Sequence, residues 1–413
     1  MGRTMGGLYG QLDEEGEREF RSDRDLWYTR AMDYAGNKDA FPILAKWDFY
    51  NHAGVSPLPR RAADAVRKYA QQAEEGAYLD TQWYKDLDKL RNIAAGLVNA
   101  HRDEIAFVKN TSEGLATVAG GIDWRAGDRI VTTGVEYPAN VYPWMDAGRR
   151  FGLELVMIPE ETCADGARRV SLQRILDEAQ HPKTRLVTLS HVEFASGQRH
   201  DLAAVGQVCR EHDKLFCVDG IQSVGQVPVD VAAMGIDFLS ADGHKWMLGP
   251  EGAGIFYCRR ELLIKIRPLI VGWMNVINAE DYGHYDFTLR SDARRFEAGS
   301  HNVAGLLGLK ASLELLREVG IDNISSRIHQ LTTQLITGLR GKGYQIVSPR
   351  ENDEWTGIVS FTSGKHDQKE LVARLRKDHR IEIALREGRM RASPHFYNTA
   401  EQIERLIQTL PAD

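Results

Sequence analysis

Short runs of apolar residues alternate with amphipathic stretches through the middle of the chain. Seven such runs predict buried strands, and they are Ile105–Val108, Arg129–Thr132, Leu153–Ile158, Arg185–Leu189, Leu215–Val218, Phe238–Leu239 and Gly254–Tyr257. Strands that alternate with helices are typical of an α/β fold with a mostly parallel sheet. Such sheets bind ligands beyond the carboxyl ends of their strands, so the residues that follow each run are the candidates for function.

The pattern differs on either side of this alternation. Before it, the spacing of apolar residues predicts helices at Ala62–Gln72 and Leu87–Asn99, and the charged stretch Leu12–Ala35 predicts a surface helix or arm. After it we predict an α+β region with helices and strands at Val303–Val319, Ser326–Leu339, Gln345–Val347, Gly357–Thr362, Lys369–Lys377, Ile381–Ala384 and Thr399–Leu410. A capping box formed by Asn398 and Glu401 is predicted to begin the last helix.

Length and composition narrow the class of protein. A chain of 413 residues exceeds one hydrophobic core, and we divide it into an N-terminal arm (1–46), a large α/β domain (47–295) and a small α+β domain (296–413). The net charge of −6 argues against nucleic acids and membrane surfaces as partners. Without a signal peptide or a bilayer-spanning apolar run, the chain is predicted to be cytoplasmic. Its four cysteines lack CxxC and zinc spacing, which predicts free thiols and no metal site.

Two of the predicted strands lead to residues that suit cofactor chemistry. Lys245 follows Phe238–Leu239 among glycines, and a lysine forms a Schiff base with a carbonyl once burial or nearby cations lower its pKa. Asp219 follows Leu215–Val218, where a buried acid needs a cationic partner such as a protonated pyridine nitrogen. Each has an ordinary alternative, because lysines are common in surface turns and aspartates often cap helices.

Two further strands lead to residues suited to holding a planar, phosphorylated cofactor. Ile105–Val108 leads into Lys109–Gly114, where hydroxyls and amides at a helix start suit a phosphate or an ordinary helix cap. Arg129–Thr132 leads to Tyr137, whose ring suits stacking on a cofactor or filling the core. Because these signals share one chemistry and follow successive strands, they support a common site.

Four segments of the chain carry a family resemblance, and they are SADGHKWMLGPEGAG, VDGIQSVG, RFEAGSHN and RASPHFYNT. Together they resemble the class-V aminotransferases, a fold-type I family of pyridoxal 5′-phosphate (PLP) enzymes, over roughly Trp47 to Leu410. The resemblance implies a fold-type I PLP-transferase, with a mostly parallel seven-stranded sheet in a large domain and a smaller α+β domain. It also implies that Lys245 binds PLP as a Schiff base, Asp219 pairs with the pyridine nitrogen and Gln222 reaches the ring 3-hydroxyl.

The resemblance implies further contacts to the cofactor and the substrate. Tyr137 stands where the desulfurases of the family place a ring-stacking histidine. The phosphate would be bound by Ser112, the amide of Glu113 and His244. Ser300 matches a position that reaches the phosphate of a neighbouring subunit, which implies a homodimer with its active site at the interface. Arg391 matches the arginine that grips the substrate carboxylate, and His52 lies in a turn that matches a substrate-side loop.

Three departures from the family bear on the reaction. The desulfurases carry a nucleophilic cysteine on a loop before the carboxylate-binding arginine, whereas Arg386–Arg391 is short and has none. A cysteine-dependent desulfurase is therefore not expected. Phe194 replaces an Asn or Tyr that often touches the cofactor, and Asp242 replaces a phosphate-binding Ser, so neither is assigned to the cofactor site.

The motifs leave several reactions open after Lys245 removes the Cα proton of an amino acid. We rank an aminotransferase first, with an amino acid and a keto acid as substrates, because the lysine and arginine segments are most like the aminotransferase and isopenicillin N epimerase-like branch. The alternatives are an amino-acid epimerase and a C–S β-lyase, and epimerisation would need a second base such as His52, His301 or Tyr285. A non-catalytic scaffold is disfavoured by the complete set of Lys245, Asp219 and Arg391.

Overall fold

The computed structural model describes residue 31, residues 33–351 and residues 353–413. The strands are β1 (Asp48–Phe49), β2 (Ile105–Val108), β3 (Arg129–Thr133), β4 (Glu154–Ile158), β5 (Glu160–Thr162), β6 (Arg168–Val170), β7 (Thr184–Ser190), β8 (Leu215–Asp219), β9 (Phe238–Asp242), β10 (Gly254–Cys258), β11 (Gln345–Ile346), β12 (Val359–Thr362), β13 (Ile381–Glu382), β14 (Ala384–Arg386) and β15 (Arg389–Ala392). The predicted arm at Leu12–Ala35 lies almost wholly outside the described residues.

Helices of eight or more residues connect and cover these strands. They are α1 (Arg60–Gly76), α2 (Trp83–Leu97), α3 (Thr111–Gly121), α4 (Tyr142–Phe151), α5 (Leu172–Ala179), α6 (Leu202–Glu211), α7 (Val303–Val319), α8 (Ile321–Gly341), α9 (Gln368–His379) and α10 (Ala400–Thr409). Among the described residues, no helix is both long and apolar enough to cross a membrane.

The main sheet has seven strands in the order β2-β10-β9-β8-β7-β3-β4. Every predicted strand of the middle region is present, and only β10 runs antiparallel to its neighbours. Successive side chains of a strand point to opposite faces. Val187 and Val218 accordingly join the core under α5, α6 and α7, while Leu186 and Cys217 join the core under α3 and α4. The strand ends that carry the predicted site residues meet at one edge of the sheet.

A second sheet, in the order β11-β12-β15-β14, packs with α8 and α10 around its own core. β1 pairs in parallel with β13, which brings the N-terminal segment against this C-terminal region. β14 and β15 form a hairpin whose turn residues Glu387 and Gly388 have φ values of 48° and 70°, typical of a tight two-residue turn. The sequence predicted neither this hairpin nor the separation of β13 from β14.

The start of α10 differs from the prediction. Thr399, not Asn398, is the N-cap, and its capping-box partner is Gln402, not Glu401. The Asn398 side chain instead accepts a hydrogen bond from the His395 amide at 2.9 Å. The capping box thus lies one residue later than predicted. The domain boundaries at residues 46 and 295 stay predictions.

Candidate active site

A cavity of about 700 Å³ opens where the carboxyl ends of the main-sheet strands face the C-terminal hairpin. Most of the residues that the sequence predicted for the site line this cavity. They are Ser112, Tyr137, Asp219, Gln222, His244, Lys245 and Arg391. These side chains come from segments up to 279 residues apart in the chain (391 − 112), and the fold brings them to one space.

Lys245 lies just beyond the end of β9 and is only 7% exposed. Burial lowers the pKa of its amine to about 8, although Asp219 opposes the shift and Arg391 adds to it. The Nζ atom lies 5.4 Å from the centre of the Tyr137 ring. Lowering the pKa toward neutrality favours the uncharged amine, which is the form that attacks a carbonyl.

Asp219 ends β8 and is 2% exposed. Its Oδ1 accepts a hydrogen bond from the Ile221 amide at 3.0 Å, and its side chain also lines the cavity. Burial raises the pKa of this carboxyl to about 6, while the Ile221 amide and the Lys245 charge oppose that shift. A carboxyl in this position gains most from a cationic group placed in the cavity.

The first turn of α3 forms another part of the wall. Asn110 caps this helix, and its side chain accepts from the Glu113 amide at 3.0 Å. Ser112 is exposed and lines the cavity, whereas Glu113 does not. The Glu113 amide predicted for the phosphate is therefore already engaged by the cap. What remains is the Ser112 hydroxyl beside the positive end of a helix.

His244 and Asp242 lie next to this helix end and both line the cavity. The Asp242 Oδ2 atom is 2.9 Å from His244 Nδ1, and its Oδ1 accepts from the Gly243 amide at 2.7 Å. The carboxylate thus accepts a hydrogen bond from its own backbone and lies within ion-pair distance of the histidine. This arrangement explains how an acid is accommodated beside a predicted phosphate position.

Aromatic and amide groups form the side walls. The rings of Tyr137 and Phe194 meet edge to face, with centres 5.3 Å apart, and both line the cavity. Gln222 donates to the Ala53 carbonyl at 3.0 Å and accepts from the Trp246 indole at 2.9 Å. These two bonds fix the amide of Gln222, whose second N–H has no acceptor among the described residues and can reach a ligand.

Arg391 on β15 faces the cavity from the opposite side and is 1% exposed. It donates from Nη1 to the Phe194 carbonyl at 2.6 Å and from Nη2 to Asn51 Oδ1 at 3.4 Å. Its Nε is buried without a hydrogen-bond partner among the described residues. Burial, together with the charge of Arg386, lowers its pKa to about 9. Lacking a carboxylate partner in the described chain, this guanidinium suits an anionic ligand.

Sequence reasoning missed three charged residues of this wall, which are Arg376, Glu382 and Arg386. Arg386 on β14 is exposed, lines the cavity and donates to the Leu385 carbonyl at 2.8 Å. Glu382 is held by Arg376 at 2.6 Å and receives the Asn51 amide at 3.5 Å. The alternating arginines of the segment LREGRMR were the available signal, because period-two spacing places them on one face of a strand pair.

Other predicted residues lie outside the main cavity. His52 is fully buried, with Nδ1 2.7 Å from the Ser393 carbonyl and Nε2 2.5 Å from the Tyr397 hydroxyl. Ser300 and His301 line a separate cavity of about 250 Å³, where Glu113 also lies. Tyr285 is 97% exposed. None of the three predicted second bases for epimerisation therefore lines the main cavity in this chain.

The residues around the cavity match what PLP needs from a protein. They supply an amine with a lowered pKa, a buried acid, a helix end with a hydroxyl, and aromatic walls. Opposite them stands a buried arginine whose Nε has no partner among the described residues, and such a group suits an anionic ligand.

A model of the family described as Aminotransferase class-V matches residues 49–406. The chain belongs to this class-V family. The resemblance and the fold-type I architecture predicted from the motifs are thereby confirmed. PLP is the cofactor of this class-V protein.

Curated relatives of this class-V protein are named cysteine desulfurases. A probable cysteine desulfurase of Methanothermobacter thermautotrophicus is 33% identical over 391 residues, covering 89% of this chain and 95% of the relative. A solved apo cysteine desulfurase from Thermococcus onnurineus is 26% identical with a TM-score of 0.81, covering 90% and 95% of the two chains. A cystine C–S lyase in complex with its product cysteine persulfide is 28% identical with a TM-score of 0.80, covering 89% and 98%.

Proposed function

We propose that this class-V protein is a PLP-dependent C–S lyase that acts on a cysteine-derived amino acid. The sulfur would leave as part of a small molecule and not on a cysteine of the protein. One observation carries the proposal: the cavity unites Lys245, Asp219 and Arg391, but no cysteine of the described chain lines it. The relatives support elimination of sulfur better than the transamination that the motifs ranked first.

The cysteines of the chain are poorly placed to accept sulfur. Cys209, Cys217 and Cys258 are buried, and burial raises the pKa of each thiol, which makes it a poor nucleophile. Cys163 follows β5 and lies outside the cavity lining. The tight turn between β14 and β15 leaves no loop there for a nucleophilic thiol. Sulfur would therefore leave with the departing part of the substrate.

Each cavity residue has a role in this proposal. Lys245 would bind the cofactor aldehyde, Asp219 would accept a hydrogen bond from the pyridine nitrogen, and Tyr137 would stack on the ring. Gln222 would donate to the ring hydroxyl. The phosphate would lie at the α3 end, against Ser112 and His244.

The bound cofactor supplies an electron sink that makes the Cα proton acidic and the β-substituent a leaving group. Arg391 would hold the substrate carboxylate with two parallel hydrogen bonds and so orient the Cα–H bond toward Lys245. The neutral Lys245 amine would take the Cα proton and then protonate the departing sulfur. With cystine and water the products balance as pyruvate, ammonium and cysteine persulfide.

We also propose that the protein is a homodimer. An exposed apolar tract lies between residues 264 and 287, close in sequence to the segment that bears Ser300. Its members include Ile264, Leu269, Ile270, Val271, Trp273, Ile277 and Phe287. Exposed apolar patches of this kind commonly mark protein interfaces. Cytoplasmic localisation stays a prediction.

The test separates the candidate reactions on the PLP-loaded enzyme. L-cystine, L-cysteine and L-alanine are supplied singly, with and without a keto acid, and pyruvate, persulfide, new amino acid and D-isomer are quantified. We expect pyruvate and persulfide from cystine without any keto acid. Keto-acid-dependent amino transfer from alanine, without sulfur release, would instead identify an aminotransferase, and a D-isomer would identify an epimerase.

A further inference from the structure

Four buried titratable side chains behind the cavity wall take no part in the chemistry proposed above. Glu136, His191, Glu193 and His200 have exposures between 1% and 7%. No lysine or arginine of the described residues forms an ion pair with either glutamate, and the recorded ion-pair contact of Glu193 is to His200. A buried carboxylate without a cation is costly, so such a group needs a reason to be there.

Glu193 closes the base of the loop that follows β7. Its Oε1 atom accepts from the Thr133 hydroxyl at 3.1 Å and contacts His200 Nε2 at 3.0 Å. The backbone closes the same loop, because the Glu193 amide donates to the Gln198 carbonyl at 2.9 Å and the His200 amide to the His191 carbonyl at 3.0 Å. The side-chain contact thus fixes residues 191–200 against the end of β3.

This loop carries the group that orients the arginine of the cavity. Phe194 follows Glu193 directly, and its carbonyl accepts from Arg391 Nη1 at 2.6 Å. Its ring packs on Tyr137 across the cavity wall. Because this acceptor lies only one residue beyond Glu193, a shift of Glu193 would also displace the acceptor of Arg391.

We propose that Glu193, held by His200, is a positioning residue for Arg391. It fixes loop 191–200 so that the Phe194 carbonyl turns the guanidinium toward the substrate carboxylate. The inference rests on the proposed use of Arg391 as the carboxylate-binding residue.

The charge state of Glu193 supports this role. Burial raises its pKa to about 8; Thr133 opposes the shift, while Glu160 and Asp219 add to it. Burial lowers the pKa of His200 to about 4, so near neutral pH the proton resides on the glutamate. The charged and titratable groups that act on Glu193 are Glu136, Asp219, His200 and Glu160, the last already paired with Arg168 and Arg389. Ionisation would add a negative charge without a free cation, and we expect it to loosen the loop.

The experiment compares two ligands that differ only in the carboxylate. L-2-aminobutyrate and propan-1-amine are titrated into the PLP-loaded enzyme, and their dissociation constants are taken from the change in cofactor absorbance. The ratio of the two dissociation constants measures how much the carboxylate contributes to binding, and we call it the carboxylate preference. Its measurement does not depend on sulfur release. At pH 7 we expect Glu193→Ala to lower this preference on the order of tenfold, because a charge-assisted hydrogen bond loses its alignment.

The isosteric variant gives a second measurement that does not depend on whether the alanine variant folds. Glu193→Gln keeps the shape and a donor, so its preference at pH 7 should equal that of the wild type within about twofold. Between pH 7 and pH 9.5 the loss of charge from Arg391, whose pKa is about 9, lowers the preference in both proteins. The prediction is therefore a difference: the wild-type preference should fall further than that of Glu193→Gln. Glu136→Gln is the matched control, because the carboxyl of this buried acid accepts hydrogen bonds from Ser190, which precedes loop 191–200, and from no residue of that loop. It should retain the wild-type preference at pH 7.

Two results would overturn the inference. One is a Glu193→Ala variant with an unchanged preference, or with equal loss for both ligands, as a merely structural role would give. The other is the same alkaline fall in Glu193→Gln as in the wild type. The premise that Arg391 binds the carboxylate is tested separately. If it is wrong, Arg391→Ala will leave the preference for L-2-aminobutyrate over propan-1-amine unchanged.

Discussion

The two walls of the cavity are built in different ways. The cofactor wall consists of strand ends of the main sheet and the first turn of α3, so each side chain is anchored in regular structure. The substrate wall consists of the β14–β15 hairpin and the segment after β1, where charges stand beside a two-residue turn. Under the proposed function, the first wall would set what the cofactor can do, and the second would set which molecule it acts on.

Charge is distributed differently on these walls. On the cofactor wall, burial moves the pKa of Asp219 up to about 6 and that of Lys245 down to about 8, so acid and amine approach each other in proton affinity. On the substrate wall Arg386, Arg389 and Arg391 share one face of the hairpin, and only Arg389 pairs with a described carboxylate, Glu160 at 2.8 Å. The cofactor wall suits proton transfer, and the substrate wall suits anion binding.

Removal of the amine from the cofactor wall should have the largest effect. Lys245→Ala should lower turnover of cystine by about a thousandfold or more, because the proposed base and cofactor anchor are lost together. The aldehyde absorbance of free PLP should replace that of the bound form. Lys265→Ala, a lysine outside the cavity lining, serves as the control. Turnover by Lys245→Ala within tenfold of the wild type would contradict the assigned role.

Asp219, the acid of the cofactor wall, should lower the stability of the cofactor-free protein while it supports turnover. Its pKa when folded, about 6, lies above the ordinary value, so ionisation of Asp219 opposes folding of the cofactor-free protein. That penalty is nearly absent below pH 4, grows between pH 4 and pH 6, and levels off above pH 6 at about 3 kcal/mol. Asp219→Asn should therefore stabilise the cofactor-free protein at pH 7 in urea unfolding.

The same substitution should lower lyase turnover roughly a hundredfold, because a neutral amide no longer supports a protonated pyridine nitrogen. The stability gain should vanish when unfolding is measured at pH 4, which provides an internal control. A cofactor-free Asp219→Asn protein that is less stable than the wild type at pH 7 would contradict the assigned environment of the carboxyl.

The cofactor wall could be predicted from the sequence, and the substrate wall only in part. Asp219 and Lys245 follow short apolar strands, and strand ends of a parallel sheet must share an edge. Arg386 comes from β14 (Ala384–Arg386), and the predicted strand Ile381–Ala384 reached only the first residue of β14. Glu193 gave no signal, because its contacts to Thr133 and His200 join separate segments of the chain.

His52 and Glu113 are predicted site residues that do not line the main cavity. Both lie in segments that border the cavity, and Asn51, Ala53 and Ser112 beside them line it. Whether a residue or its neighbour faces the cavity depends on the turn geometry, which one sequence does not reveal. The His52 ring is hydrogen-bonded to the Ser393 carbonyl, and the Glu113 amide donates to the side chain of the cap residue Asn110.

The smallest predicted effect is a change in the pKa of Lys245 on the cofactor wall when Arg386 on the substrate wall is replaced. The charge of Arg386 contributes to the lowered pKa values of both Lys245 and Arg391, so Arg386→Ala should raise the pKa of the Lys245 amine. Because Arg386 is exposed and screened by solvent, we expect a rise on the order of a few tenths of a unit at low salt. The midpoint of the pH dependence of PLP capture by the cofactor-free protein measures it.

Arg389→Ala is the matched control for this measurement, because Arg389 lies on the same hairpin face but pairs with Glu160 outside the cavity lining. It should leave the midpoint in place. High salt should bring the Arg386→Ala midpoint and the wild-type midpoint together, since mobile ions screen an exposed charge over a few ångströms. A shift that persists in high salt would mean that Arg386 acts on Lys245 through packing, and the walls would then be coupled mechanically and not through charge.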